Sequence, residues 1–343
     1  MPACVKRLYD ENGYVSIPWI LSRGFAFNMI IGGRGTGKTY GAIKWMLEQG
    51  KFFMYLRRTQ TQADMVSNNF LSPFKSVCED MNIGFKVDSV DGAKNVKVVY
   101  LDDREYPVCL TAALSTISNI RGLGASDIEY LVFDEFISEP HERPIKNEAS
   151  AFFNGYETIN RNRELQGKPP MQTLFLSNSE NIISPLLMEL ELVGTIVDMK
   201  KKGQVLRDIK ERNLSIYLLD DSPISAKKKD TVIYQFAGGT RFSEMALENT
   251  FANGDFPMVQ PQNIKPYRCI IKVGELYIYE HRSDRKLYVS RFKTGTPIRS
   301  YTADDTNLKR FRLENRWLWN EFVLGRVFFE SEICQLLLTK YLQ

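Results

Sequence analysis

Histidine is almost missing from this chain, with only His141 and His281 in 343 residues. That scarcity excludes a histidine-rich zinc site. Cysteine is equally poor in chemistry. Cys4, Cys78, Cys109, Cys269 and Cys334 are odd in number and contain no C-x-x-C pair, so they are expected as reduced packing residues. No apolar run approaches the roughly 18 residues that a membrane span needs. The opening Met1-Pro2-Ala3-Cys4-Val5-Lys6-Arg7 has no apolar core of a signal peptide. Repeats and low-complexity tracts are absent as well. A cytosolic protein with no membrane partner is the expectation.

What the chain does have is a complete phosphate loop, Gly32-Gly33-Arg34-Gly35-Thr36-Gly37-Lys38-Thr39. It follows the apolar run Phe25–Ile31 and opens a helical stretch, Tyr40–Gln49. Glycines let the backbone wrap a pyrophosphate with its N–H groups inward, and the helix start adds unpaired donors and a positive dipole end. Lys38 then reaches the β- and γ-phosphates of ATP, and the Thr39 hydroxyl ligates Mg²⁺. About a hundred residues on, the apolar strand Tyr130–Phe133 ends in Asp134 and Glu135. Asp134 is placed to hold the magnesium and Glu135 to polarise the attacking water. An adjacent glutamate suits a hydrolase better than a kinase or a passive switch.

At 343 residues the chain is long for one core. Its 43% hydrophobic and 25% charged content are those of a globular protein. Apolar runs at Phe25–Ile31, Phe52–Leu56, Val108–Ala112, Tyr130–Phe133 and Thr173–Leu176 alternate with helical patterns at Tyr40–Gln49, Thr61–Met81 and Asn147–Gln166. This order predicts an α/β fold with a mostly parallel sheet covered on both faces and its ligand at the carboxyl ends of the strands. In Asn147–Gln166, Ala149, Phe152, Phe153, Tyr156 and Ile159 form one core-facing stripe. Val96–Leu101 is expected as an added hairpin strand.

Composition changes near Asp198. Residues 198–343 carry 25 Lys+Arg against 18 Asp+Glu, whereas residues 1–197 carry 20 against 23. The basic half suits either a polyanion-binding domain or a solvated lysine-rich surface. The expected division is an ATPase domain over 1–197, a linker or lid over 198–230 and a C-terminal nucleic-acid-binding domain over 231–343. The stretch from Lys200-Lys201-Lys202 to Arg212 is expected to be helical. Lys200–Lys202 and Lys227–Lys229 are candidate nucleic-acid contacts. Beyond them, Tyr267–Val273, Glu275–His281 and Lys286–Phe292 predict a β-meander, and Leu308–Leu342 a helical, aromatic tail. Together these make an α+β domain.

Several polar residues sit where the strands should deliver them. Arg34 lies inside the phosphate loop and is placed to touch the γ-phosphate or a neighbouring subunit. Arg57-Arg58 end the second strand, where one of them senses phosphate or, equally, either pairs with a nearby Asp or Glu. Ser177-Asn178 end the strand Thr173–Leu176, as a contact to the attacking water or as an Asx turn. An arginine acting on the neighbouring subunit's phosphoryl group has two candidate places, Arg161 with Arg163, of which Arg161 is favoured, and Arg121. Arg161 and its neighbour Arg163 lie near the end of the expected helix Asn147–Gln166, whose C-terminus they would otherwise merely complement.

The ordered set Gly32–Thr39, Tyr55-Leu56-Arg57-Arg58, Val132-Phe133-Asp134-Glu135-Phe136, Asn160-Arg161-Asn162-Arg163-Glu164 and Leu176-Ser177-Asn178 resembles the genome-packaging ATPases of small short-tailed phages. In these phages the motor includes a structural RNA. The resemblance covers most of residues 20–180. It implies a P-loop ATPase domain of the additional-strand, catalytic-glutamate type. It further implies a pentameric ring in the host cytoplasm that docks on the portal of a prohead and drives double-stranded DNA into it. By the same resemblance Arg34 matches the phosphate-loop arginine, Arg161 the inter-subunit arginine and Ser177-Asn178 the coupling motif. The Arg121-Gly122 loop is closer to large terminases, which also carry a ribonuclease-H-type nuclease. The corresponding first strand here, Cys269-Ile270-Ile271-Lys272-Val273, has lysine and no carboxylate, so the C-terminal domain is expected as a vestigial nuclease used for binding. The basic segments would then contact DNA backbone phosphates without sequence preference, or bind the structural RNA. Two rival classes are another P-loop motor, such as a helicase or filament-assembly ATPase, and a nucleotide-gated scaffold on portal or RNA.

Overall fold

The computed structural model describes residues 7–90, 93–120, 127–137, 145, 147–178, 184–219, 222–224, 231–236, 258–260 and 262–342. The chain divides into two compact units, one of residues Met1–Leu192 with Asp198–Ala252 and one of Val193–Val197 with Asn253–Gln343.

The first unit is built on a sheet of nine described strands: β1 Phe27–Gly32, β2 Phe53–Arg57, β3 Phe85–Val90, β4 Ala93–Leu101, β5 Cys109–Ala113, β6 Tyr130–Asp134, β7 Gln172–Ser177, β8 Leu206–Ile209 and β9 Leu214–Leu219. Their order is β3-β4-β5-β2-β6-β7-β1-β9-β8. The strands from β5 through β9 in that order run parallel. They are near-continuous apolar runs because both of their faces are covered. The edge pairs β3–β4, β4–β5 and β8–β9 are antiparallel, which makes Val96–Leu101 part of the expected hairpin strand. The strand β7 lies between β1 and β6. Its register puts Ser177 beside Ile31 and Leu176 beside Asp134, so the carboxyl ends of all three strands are level.

One face of the sheet is covered by the helices Ile17–Ser22, Lys38–Glu48 and Phe74–Asp80. There Ile43, Met46, Phe74 and Val77 pack on Ile30, Phe53, Tyr55 and Val132. The opposite face is aromatic. Phe152, on the helix Glu148–Asn160, stacks on Phe133 at 5.7 Å and lies 5.1 Å from Phe175. Of the expected stripe on this helix, Ala149, Phe152 and Ile159 are buried, whereas Phe153 is 40% exposed and lies off it. The cysteines Cys78, Cys109, Cys269 and Cys334 are free and buried, and burial pushes the Cys78 thiol up to about 11.

Further expectations change in the stretches flanking these elements. The stretch expected as a linker or lid over 198–230 contains two strands of the main sheet. Leu214–Leu219 is buried throughout and pairs with β1 along its whole length. The helix expected to reach Arg212 ends at Lys201, because the alternation Leu206-Arg207-Asp208-Ile209 suits the half-buried edge strand β8. The helical pattern over Thr61–Met81 is two helices, Gln60–Val66 and Phe74–Asp80, interrupted before Pro73, which restricts the residue in front of it.

In the second unit, β10 Tyr267–Val273, β11 Leu276–His281 and β12 Leu287–Ser290 form the expected meander. Two further strands extend it in parallel, β13 Arg299–Tyr301 beside β10 and β14 Val327–Phe329 beside β12. The tail is therefore not helical throughout. Gly325, at φ +73°, ends the helix Arg316–Val323, and the β-favouring Val327-Phe328-Phe329 follows. The helix Glu332–Leu342 packs on β11, β12 and β14 and buries Cys334, Leu337 and Leu338.

A buried ion pair joins the carboxyl end of β2 to the start of the helix Glu148–Asn160. Arg58 donates from Nε to Glu148 Oε1 at 2.8 Å and from Nη2 to Oε2 at 2.9 Å, with both side chains almost fully buried. Removing one member leaves an uncompensated buried charge. Arg58→Met is expected to lower stability by about 3–5 kcal/mol in urea unfolding, and Arg58→Met with Glu148→Leu to recover most of that loss.

Candidate nucleotide site

The phosphate loop begins where β1 ends. A Cβ on Gly32 would lie 2.4 Å from the Leu219 Cβ of β9, so only glycine lets the two strands close at this point. Gly37 caps the following helix at φ +85°, a conformation that a side chain resists. Between them the Lys38 ammonium turns back over the loop. It donates to the Gly32 carbonyl at 2.8 Å, the Gly33 carbonyl at 2.7 Å and the Thr36 hydroxyl at 3.2 Å. Lys38 is 7% exposed, so its charge is held at the centre of the loop. Arg34 and Gly35 form the exposed tip.

A turn that the sequence did not reveal braces the loop from outside. Asp10 Oδ1 accepts from the backbone N–H groups of Asn12 and Tyr14, closing residues 10–14. Val15 N–H then donates to the Thr36 carbonyl at 3.0 Å, and the Tyr14 side chain stands against Gly37. Ser222 donates its hydroxyl proton to the Gly13 carbonyl at 3.2 Å, which ties the chain beyond β9 to the same turn.

The carboxylates follow from the strand order. Asp134 ends β6 nearly buried, and its Oδ2 accepts from three side chains. Thr39 Oγ1 donates at 3.0 Å, Arg57 Nη1 at 2.9 Å, and the Tyr55 hydroxyl makes a short hydrogen bond. Its other oxygen accepts from the Glu135 N–H at 3.1 Å. Glu135 itself is at φ +54°, strained for a residue with a side chain, and its carboxylate lies 2.9 Å from Arg57 Nη2. Arg57 thus bridges the two acidic residues with one guanidinium. Burial, and then the neighbouring Asp134 charge, push the Tyr55 phenol well above its ordinary range, so it stays a proton donor.

The donor set fits the groups expected from the sequence. One carboxylate and one hydroxyl, 3.0 Å apart beside a glycine-built cradle, suit Mg²⁺, which takes few protein ligands and fills its shell with water and phosphate oxygens. Among the described residues no group of three or more His, Cys, Asp or Glu side chains could hold a metal unaided. An apolar cavity of about 270 Å³ opens elsewhere, among Phe27, Phe152, Tyr156 and Leu214. It lies towards the amino ends of β1 and β9, away from the loop.

The remaining candidates are distributed unevenly. Asn178 directly follows β7, and its carbonyl accepts from the Ser177 hydroxyl at 3.2 Å. Arg161 is exposed at φ +45° just past the helix Glu148–Asn160. Because the Met171 N–H, immediately before β7, donates to Asn160 Oδ1 at 3.0 Å, this helix end lies at the amino edge of the sheet. The phosphate loop lies at the opposite edge, so Arg161 is remote from its own chain's site. Arg163 is buried and donates to the carbonyls of Ile128 and Pro169, which makes it a loop clamp and not merely a complement to the helix end. Lys202 lies 2.7 Å from Asp198, which also holds Arg207. Arg121 and Lys227–Lys229 lie outside the described residues. Arg58 takes the carboxylate reading left open for it, with Glu148 as a partner the sequence did not name, whereas Tyr55 and Tyr14 were missed. Of these only Tyr55 left a signal, a polar-tipped aromatic in an otherwise apolar strand.

Among the described residues no helix is long and apolar enough to cross a membrane. The chain is similar in structure to the phage Phi-29 viral genome packaging motor assembly, at 21% identity and a TM-score of 0.62, covering 96% of this chain and 99% of that one. It is likewise similar to the phage Phi-28 gp11 DNA packaging motor, at 20% identity and a TM-score of 0.61, covering 97% and 98%. No curated protein matches it. The model of the podovirus DNA encapsidation protein (Gp16) matches residues 9–268. With its phosphate loop beside Asp134 and Glu135 at the carboxyl edge of a mostly parallel sheet, the chain belongs to the podovirus DNA encapsidation protein (Gp16) family.

Proposed function

We propose that this protein hydrolyses ATP with Mg²⁺ at the carboxyl edge of β1, β6 and β7 and couples the hydrolysis to the movement of double-stranded DNA into a prohead. The observation that carries the reading is the approach of Thr39 to Asp134 at 3.0 Å, with Glu135 next in sequence and Lys38 at the centre of the loop. Family membership and the likeness to two packaging motors support the DNA part. In that role Lys38 and the loop N–H groups would hold the β- and γ-phosphates, and Thr39 and Asp134 would hold the metal, which would supply charge neutralisation on the phosphates. Glu135 accepts a proton from the attacking water. To do so it must leave Arg57, which holds it at 2.9 Å while also holding Asp134. Arg57 therefore keeps the base idle until its guanidinium is drawn elsewhere. Arg34, exposed at the loop tip, faces incoming phosphate or a neighbouring subunit. Asn178, beside the same edge, reports the loss of phosphate.

Subunits in a ring around the portal, five by family resemblance, complete one another's sites. The position of Arg161 at the far edge of its own sheet supports a role on the next subunit. The mostly exposed basic residues of the second unit, among them Arg268, Arg282, Arg285 and Lys286, fit a polyanion such as DNA backbone or structural RNA. That unit is proposed to bind nucleic acid without cutting it, as a vestigial nuclease.

Two measurements test the reading. Glu135→Gln is expected to bind ATP like the unchanged protein while losing about 100-fold or more of its turnover and all stimulation by duplex DNA. Unchanged turnover would remove the assigned base. Arg161→Ala and Glu135→Gln are each expected to be inactive alone. Mixed, they are expected to recover part of the ATPase rate, because one supplies an intact site and the other an intact arginine. No recovery at any mixing ratio would remove Arg161 from the shared site.

A further inference from the structure

The Asp134 carboxylate receives three side-chain donors on one oxygen, and they differ in how firmly each is held. Thr39 is the expected metal ligand, so its hydroxyl turns towards the cation when nucleotide is present. Arg57 shares its guanidinium with Glu135, and its hold on Asp134 changes whenever Glu135 is released. Tyr55 alone has nowhere to go. It is 1% exposed, and its ring packs against Phe74 at 6.1 Å inside the core of the first unit. Its backbone is fixed in β2, paired with Val132 of β6 two residues before Asp134, and with Thr111 of β5 on the other side. Of the three donors it is the one that stays in place through a change of ligand.

From this arrangement we infer that Tyr55 is a positioning residue for the metal. Its buried hydroxyl fixes the orientation in which Asp134 presents its carboxylate to the magnesium held with ATP. This inference rests on the ATP and Mg²⁺ reading of the site. Partners of this kind orient a metal ligand without touching the metal, and their loss costs about 10–100-fold in metal affinity or activity. Tyrosine suits the task because its rigid ring carries the donor across the apolar layer beneath the strand end. The ring has only two side-chain torsions, and packing holds both.

The test compares Tyr55→Phe with the unchanged protein, with Asp134→Asn and with the double variant. Mn²⁺ is the probe, followed by the electron paramagnetic resonance signal of the free ion during titration of the protein with a non-hydrolysable ATP analogue. Tyr55→Phe is expected to bind the analogue normally in the absence of metal, to weaken Mn²⁺ binding about 10-fold or more, and to raise the Mg²⁺ concentration needed for half-maximal turnover. In the Asp134→Asn background the same change is expected to have no further effect on Mn²⁺, since Tyr55 acts through that carboxylate. A Tyr55→Phe protein that melts earlier but holds Mn²⁺ as tightly as before overturns the inference and leaves Tyr55 a packing residue. An Asp134→Asn protein that holds Mn²⁺ normally overturns the metal site itself, a separate result.

Discussion

The site depends on keeping two carboxylates side by side at the end of one strand. Asp134 and Glu135 are consecutive, one nearly buried and the other over a third exposed, and like charges so close repel strongly in a low dielectric. The chain resolves this with a single guanidinium. Arg57 reaches both, and the neighbouring strand order β2-β6 is what delivers it there. The positive φ of Glu135 turns its side chain out of the strand direction and towards that same arginine. Strain at this residue and charge compensation by Arg57 therefore describe one resting arrangement, which a cation and a triphosphate would have to reorganise.

The arginine next to it serves a different purpose. Arg57 is partly accessible and shares itself between two acidic groups, while Arg58 is sealed in a bidentate pair with Glu148. Adjacent residues on a strand point to opposite faces, so one arginine meets Asp134 and Glu135 and the other meets the helix beneath. That helix, Glu148–Asn160, is about 20 Å long by its rise per residue. It begins beside the carboxyl end of β2 and ends where Arg161 starts. A single rigid element thus connects the edge that carries the phosphate loop to the residue proposed for the neighbouring subunit.

Much of this was readable in the residues, because the phosphate loop and the Asp134-Glu135 strand end are local patterns whose chemistry dictates their spacing. The central strands were equally legible as continuous apolar runs. The role of β8 and β9 was not, since the charged stretch from Lys200 to Arg212 hid β8, and the short run of β9 just beyond it takes its meaning from pairing with β1, almost two hundred residues earlier. Arg57, left open between phosphate and a carboxylate, lies with two carboxylates. The bracing contact of the turn Asp10–Val15 to Thr36 and the Tyr55 hydroxyl escaped notice for the same reason, because the partners, Thr36 and Asp134, lie apart in sequence and no local period marks them. Neither arginine candidate for the neighbouring site is decided by pattern, and Arg121 lies outside the described residues.

The pairing of β1 with β9 also bears on how this chain can be divided and how it is made on the ribosome. Gly32 meets Leu219, so the wall of the phosphate loop is supplied by one of the last pieces of the first unit to be synthesised. Until then Phe27–Gly32 is an uncovered edge, an apolar strand with open backbone donors and acceptors, which is the form most prone to pairing with another chain. A fragment cut at the change of composition near residue 197 would freeze the protein in that condition. It would keep every residue of the nucleotide motif and lack the strand against which the motif closes.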